Sequence, residues 1–216
     1  MAYKSDPRAP STKLEELLAN SITHGLGIGL SIAGLVVLIV RAVRRGTGWH
    51  LAGFLVFGIS LILLYLASTL YHSMANKPWR GLLQRLDHSA IFFLISGTFT
   101  PFLLTALRGW LGWTIFGVIW GLTIAILVLK LVLKERFEKP PVWLYLGMSW
   151  LGALLFWRAL SGISSASLLF LLLGGVVYSL GVVFYRWRSL PFSHAIWHLF
   201  VLGGSVLHFF SVLKIV

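Results

Sequence analysis

Two histidines, His194 and His198, bracket the stretch His-Ala-Ile-Trp-His. On a helix, both imidazoles leave one face about 6 Å apart. That spacing suits two ligands on one tetrahedral ion with Zn–N distances near 2.0–2.1 Å. A third neutral imidazole, His72, would leave a fourth position for water, which is how zinc is held for catalysis rather than for bracing alone. The stretch lacks the glutamate of a metalloprotease helix, so a general base must come from elsewhere. Of the six acidic residues, Asp6, Glu15 and Glu16 precede the first apolar run, and Glu135 and Glu138 fall between two later ones. Only Asp87 lies at or inside an apolar run, and it is the candidate base. Ser68, four residues before His72 and on the same helical face, could bind the water or steady an oxyanion. The chain has no cysteine, so thiolate ligands and disulfides are excluded.

The elements that must carry these residues are membrane helices. The chain is 58% hydrophobic and 11% charged, with a mean hydropathy of +0.89. A soluble domain of this length could not hide so much apolar surface, so lipid is the solvent for most of it. The formal charge of +12 would point to nucleic acid in a soluble protein. Here the basic residues sit in short clusters between apolar runs, as in a membrane protein, and no nucleic-acid-binding face is expected. A bilayer core of about 30 Å needs roughly 20 apolar residues per helix. Seven stretches meet that need, at 18–40, 50–73, 86–107, 111–133, 142–160, 165–185 and 192–213. The weakest break is the short one after 107. The expectation is an all-α, seven-transmembrane-helix bundle at 18–216, behind a polar cytoplasmic N-terminal tail at 1–17. The tail lacks the layout of a cleaved signal peptide.

Lysine and arginine set the orientation. The tail and the loops after the second, fourth and sixth spans hold Lys4, Arg8, Lys13, Lys77, Arg80, Arg85, Lys130, Lys134, Arg136, Lys139, Arg186 and Arg188. The other side holds Arg41, Arg44, Arg45, Arg108, Arg158 and Lys214. The bias places the N-terminus in the cytoplasm and the C-terminus outside. With that topology His72, Asp87, His88, His194, His198, Glu16, Asn20 and His24 all fall at cytoplasmic helix ends. None of them entered the charge count, so their common depth is independent support for one site. Ionisable groups at such positions are costly and are functional candidates by default. His24 could support the site through hydrogen bonds or be a packed polar residue. His88, about 100° around the helix from Asp87, reads as a helix-start residue. His50 and His208 fall towards the opposite face and read as interfacial residues. Gly25/Gly29 and Gly117/Gly121 read as close helix contacts within the bundle.

The same residues carry a family signature. Glu16, the run Asn20 to Gly25 (Asn-Ser-Ile-Thr-His-Gly), Ser68 to His72 (Ser-Thr-Leu-Tyr-His), Asp87-His88, Gly97 to Pro101 (Gly-Thr-Phe-Thr-Pro) and His194 to His198 resemble the haemolysin III proteins. These form the bacterial branch of the progestin and adiponectin receptor (PAQR) family. Related adiponectin receptors and alkaline ceramidases are seven-helix bundles with an intramembrane zinc. The resemblance therefore implies Zn2+ on His72, His194 and His198, with Ser68 and Asp87 around its water. It also implies a multi-pass protein of the bacterial inner membrane, with membrane lipid as substrate or ligand. Two functions follow. One is a zinc-dependent hydrolase of lipid amide or ester bonds. The other is a non-enzymatic protein for lipid sensing, membrane homeostasis or pore formation, in which zinc only braces helices. A conducting pore should carry hydrophilic residues along its whole length, and beyond the cytoplasmic third the spans offer chiefly Ser, Thr and Gly.

Overall fold

The computed structural model describes residues 10–74, 77–133, 140–157 and 163–216. The tail charges Lys4, Asp6 and Arg8, and the charges at 134–139 and Arg158, lie outside them. Among the described residues there are seven helices and no strand. They are α1 (Pro10–Arg45), α2 (Gly48–Ser73), α3 (Arg80–Leu104), α4 (Trp110–Leu133), α5 (Val142–Trp157), α6 (Ser165–Arg186) and α7 (Ser193–Leu213). Six are long and apolar enough to cross a bilayer. α5 has 16 residues, and the remainder of the span expected at 142–160 falls outside the description. The short break after 107 does separate two helices, because Thr105 to Gly109 form turns in which the Leu107 N–H donates back to the Phe102 carbonyl at 3.0 Å.

Several helices overrun their expected spans. α1 starts at Pro10 and α3 at Arg80, so Asp87 lies two turns inside α3 rather than at its opening. Hydropathy marks where a helix enters apolar surroundings, whereas the backbone ladder continues into the polar zone. α3 is the central helix, touching α2, α4, α5 and α7. That position explains its burial of Ser96, Thr98 and Thr100. Thr98 and Thr100 return their hydroxyl hydrogens to carbonyls one turn back, at 2.8 Å each, so no polar group is stranded.

Close helix approach comes from glycines other than those the small-xxx-small spacing suggests. A Cβ at Gly53 would lie 2.7 Å from the Pro101 backbone, so α2 and α3 meet there only because Gly53 has no side chain. Gly25, Gly29, Gly117 and Gly121 face open space, which overturns the expectation that these pairs pack inside the bundle. The outward faces are apolar, with Leu26, Leu30, Ile124 and Leu131 all exposed, as lipid requires. α1 and α7 run parallel and are tied at both ends. Near their starts the Phe192 N–H donates to Glu16 Oε1 at 3.0 Å. Near their ends the Arg41 guanidinium donates twice to the Val216 carbonyl, at 2.7 and 3.0 Å.

Candidate metal centre

The ends of α2 and α7 converge so that His72, His194 and His198 each offer a ring nitrogen within 4.8 Å of the others. The ring centroids are 5.0 Å apart for His72–His194, 5.1 Å for His72–His198 and 4.6 Å for His194–His198. The helical i, i+4 repeat brings the last pair together, and α2 packing beside α7 through α1 supplies the third ring. His72 and His198 are buried and His194 is partly so.

Hydrogen bonds orient one of these rings, His198, so that it could face a cation. His198 Nδ1 lies 3.1 Å from the Asn20 carbonyl and 3.1 Å from Thr23 Oγ1. A carbonyl can only accept, and Thr23 already gives its hydrogen to the Ala19 carbonyl at 2.8 Å. Nδ1 therefore carries the ring hydrogen, and Nε2 keeps its lone pair for a ligand bond, as in most protein metal sites. His72 Nε2 is buried with no hydrogen-bond partner. A buried orphan acceptor is costly unless something electrophilic sits against it. The donor set, one tautomer locked outward and a second nitrogen left bare, fits a bound metal ion.

His24 supports the cluster by stacking rather than by hydrogen bonding. Its ring lies on His198 and meets Tyr65 edge-on with centroids 5.0 Å apart, and neither of its nitrogens has a hydrogen-bond partner. α1 thus contributes Asn20, Thr23 and His24 to the back of the site. Their signal in the sequence was the recurrence of polar residues at helical spacing, Glu16, Asn20 and Thr23-His24, near the start of an apolar run.

Asp87 on α3 and Ser68 on α2 are both buried. Both line a cavity of about 150 Å³ that also meets His194 and His198. Every helix except α4 contributes to its walls, which are largely leucine, isoleucine, valine and aromatic side chains. His88 lines the same cavity, so it is more than a helix-start residue. His50 stays at the other end, where its Nδ1 accepts from the Thr47 N–H at 3.1 Å and caps α2. His208 departs from expectation. It is not interfacial but only 9% exposed, its Nε2 3.1 Å from the Leu171 carbonyl, at the far end of the cavity. Helical rotation turned it towards α6, which no linear count of depth could reveal.

The model of the haemolysin-III related family matches residues 12–209. The chain belongs to the haemolysin III family. It is 46% identical over 200 residues to a hemolysin-3 homolog of Bacillus subtilis, covering 93% of this chain and 94% of that protein. Hemolysin-3 of Bacillus cereus is likewise 46% identical over 200 residues, covering 93% and 91%. More distantly, the human monocyte to macrophage differentiation factor is 28% identical over 210 residues, covering 92% and 84%. This haemolysin III protein is a polytopic membrane protein whose three clustered histidines could hold a metal ion.

Proposed function

We propose that this protein is a zinc-dependent hydrolase of long-chain lipid amides or esters. In this reading it crosses the bacterial inner membrane seven times, with its N-terminus in the cytoplasm and its site at the cytoplasmic membrane face. The observation that carries the reading is one cavity, apolar along its length, with His194, His198, Asp87 and Ser68 at one end. An acyl chain suits such walls, and its carbonyl would lie among the polar groups. Zinc is the ion that three imidazoles and no thiolate or further carboxylate favour. When bound, it supplies Lewis acidity that polarises a carbonyl and makes water nucleophilic near neutral pH.

The chain's own residues handle the proton. Asp87 accepts it as water oxygen bonds to the carbonyl carbon, then returns it to the leaving nitrogen or oxygen as the C–N or C–O bond breaks. Ser68, on the wall of the same cavity, would orient the water or steady the oxyanion. The surrounding apolar wall excludes bulk water and so strengthens these interactions.

The deciding experiment pairs metal content with lipid hydrolysis for wild type and Asp87→Asn in one detergent. An amide cannot take the proton, so turnover should fall by about 10²–10⁴ with zinc unchanged. An Asn variant as fast as wild type would remove Asp87 from the mechanism. Full zinc with no turnover on any lipid amide or ester would favour a bracing metal in a non-enzymatic protein.

A further inference from the structure

The far end of the cavity plays no part in that chemistry, yet it is a constructed site. Two rings are seated there reciprocally between α6 and α7. A Cβ at Gly174 would overlap His208, and one at Gly204 would come within 2.7 Å of the Tyr178 ring. Each ring lies four residues beyond the glycine on its own helix, so each helix offers one notch and one ring. The ring centroids are 5.3 Å apart, and both residues line the cavity.

Hydrogen-bond accounting gives each ring one unused valence. The Leu171 carbonyl can only accept, so His208 Nε2 carries the hydrogen at 3.1 Å and Nδ1 keeps a lone pair. The Cδ2–Nε2 edge rests on Gly174, and Nδ1 is the ring vertex opposite that edge. Among the described residues none donates to it. On the other ring, the Tyr65 hydroxyl donates to Ser205 Oγ at 2.7 Å, and the Tyr178 hydroxyl lies 2.7 Å from the same oxygen. One hydrogen of this pair is left over in either order; Tyr178 lines the cavity and Ser205 does not, so the order a cavity ligand can complete is the one in which Ser205 donates to Tyr178. The Tyr178 hydrogen is then left over. One spare donor and one spare acceptor thus sit on two neighbouring rings that line the cavity, beside apolar Leu171 and Val201. A hydroxyl group is the complement of that pair, because it accepts one hydrogen bond and gives one. A plain methylene chain would leave both groups unpaired.

We propose that Tyr178 and His208 form a hydroxyl-binding subsite, and that the preferred occupant of the cavity is a lipid chain hydroxylated far from its head. Ser205 and His208 lie seven and ten residues beyond His198 on α7. At 1.5 Å per residue the subsite is about 10–15 Å past the imidazoles, the reach of roughly eight to twelve methylenes. The inference rests on the reading above in one respect, that the lipid head sits at the histidines.

The test measures binding of three C18 hydroxamic acids to the zinc-loaded, full-length wild-type protein: unsubstituted, 12-hydroxy and 2-hydroxy. The 12-hydroxy chain should bind about five- to thirtyfold tighter than the plain chain, the net worth of one to two neutral hydrogen bonds, and the 2-hydroxy chain should show no such gain. Tyr178→Phe, which keeps the ring in its notch, and His208→Phe should each bring the ratio of 12-hydroxy to plain affinity towards one. Equal affinities in wild type would overturn the subsite, as would a preference surviving both substitutions. Failure of all three chains to bind would overturn the lipid-cavity reading itself, and the subsite with it.

Discussion

His24 lies flat against His198, with ring centroids 3.5 Å apart and planes 10° from parallel. The stack presses the His198 ring of α7 against α1 while the Asn20 carbonyl holds its Nδ1 edge. His24→Ala should therefore lower zinc affinity by about 10–100-fold, the usual effect of losing a group that orients a ligand. His24→Phe keeps a flat ring in the stack and should stay near wild type. Metal titration of both variants checks this. Equal losses would make His24 a ligand rather than a support.

Purified wild-type protein should contain roughly one zinc per chain. His194→Ala or His198→Ala should remove most of it, because each imidazole supplies a large share of the binding energy. The measurement is elemental analysis after detergent purification without added metal. Stoichiometric zinc in the double variant would place the metal elsewhere.

The turn before α7 depends on Glu16. Phe192 has φ 56°, a left-handed conformation that a bulky residue adopts at a cost of about 1–3 kcal/mol. Its N–H is held by the Glu16 carboxylate across from α1. Glu16→Ala should destabilise the protein by about 1 kcal/mol and weaken zinc binding, because His194 follows two residues later. Glu16→Gln retains an acceptor oxygen and should recover most of the loss. Thermal unfolding with and without zinc reads both effects, and identical behaviour of the two variants would dismiss the latch.

Topology can be read with reporters. A reporter active only outside the cytoplasm should work when fused after Val216 and stay silent when inserted between 134 and 139. The opposite pair of results would invert the bundle and move the histidines to the outer face.

The sequence by itself determined the solvent, most of the helices and the three histidines. Each is a local property: apolar run length decides what can cross a bilayer, and i, i+4 spacing decides that His194 and His198 share a face. It also singled out Asp87, because a lone carboxylate in an apolar stretch is conspicuous without any fold. Tertiary structure decided which face of each helix turns inward. In lipid, a leucine facing a neighbouring helix and one facing acyl chains are equally apolar, so periodicity cannot orient a span. For that reason Gly25 and Gly29 looked like packing residues but face open space, whereas Gly53, Gly174 and Gly204 make the close contacts. For the same reason His208, placed by depth alone at the interface, is buried against α6 beside Tyr178. Pairing α1 with α7 was also beyond the linear chain, since Glu16 and Phe192 are 176 residues apart. Only packing of the whole bundle brings such distant groups together.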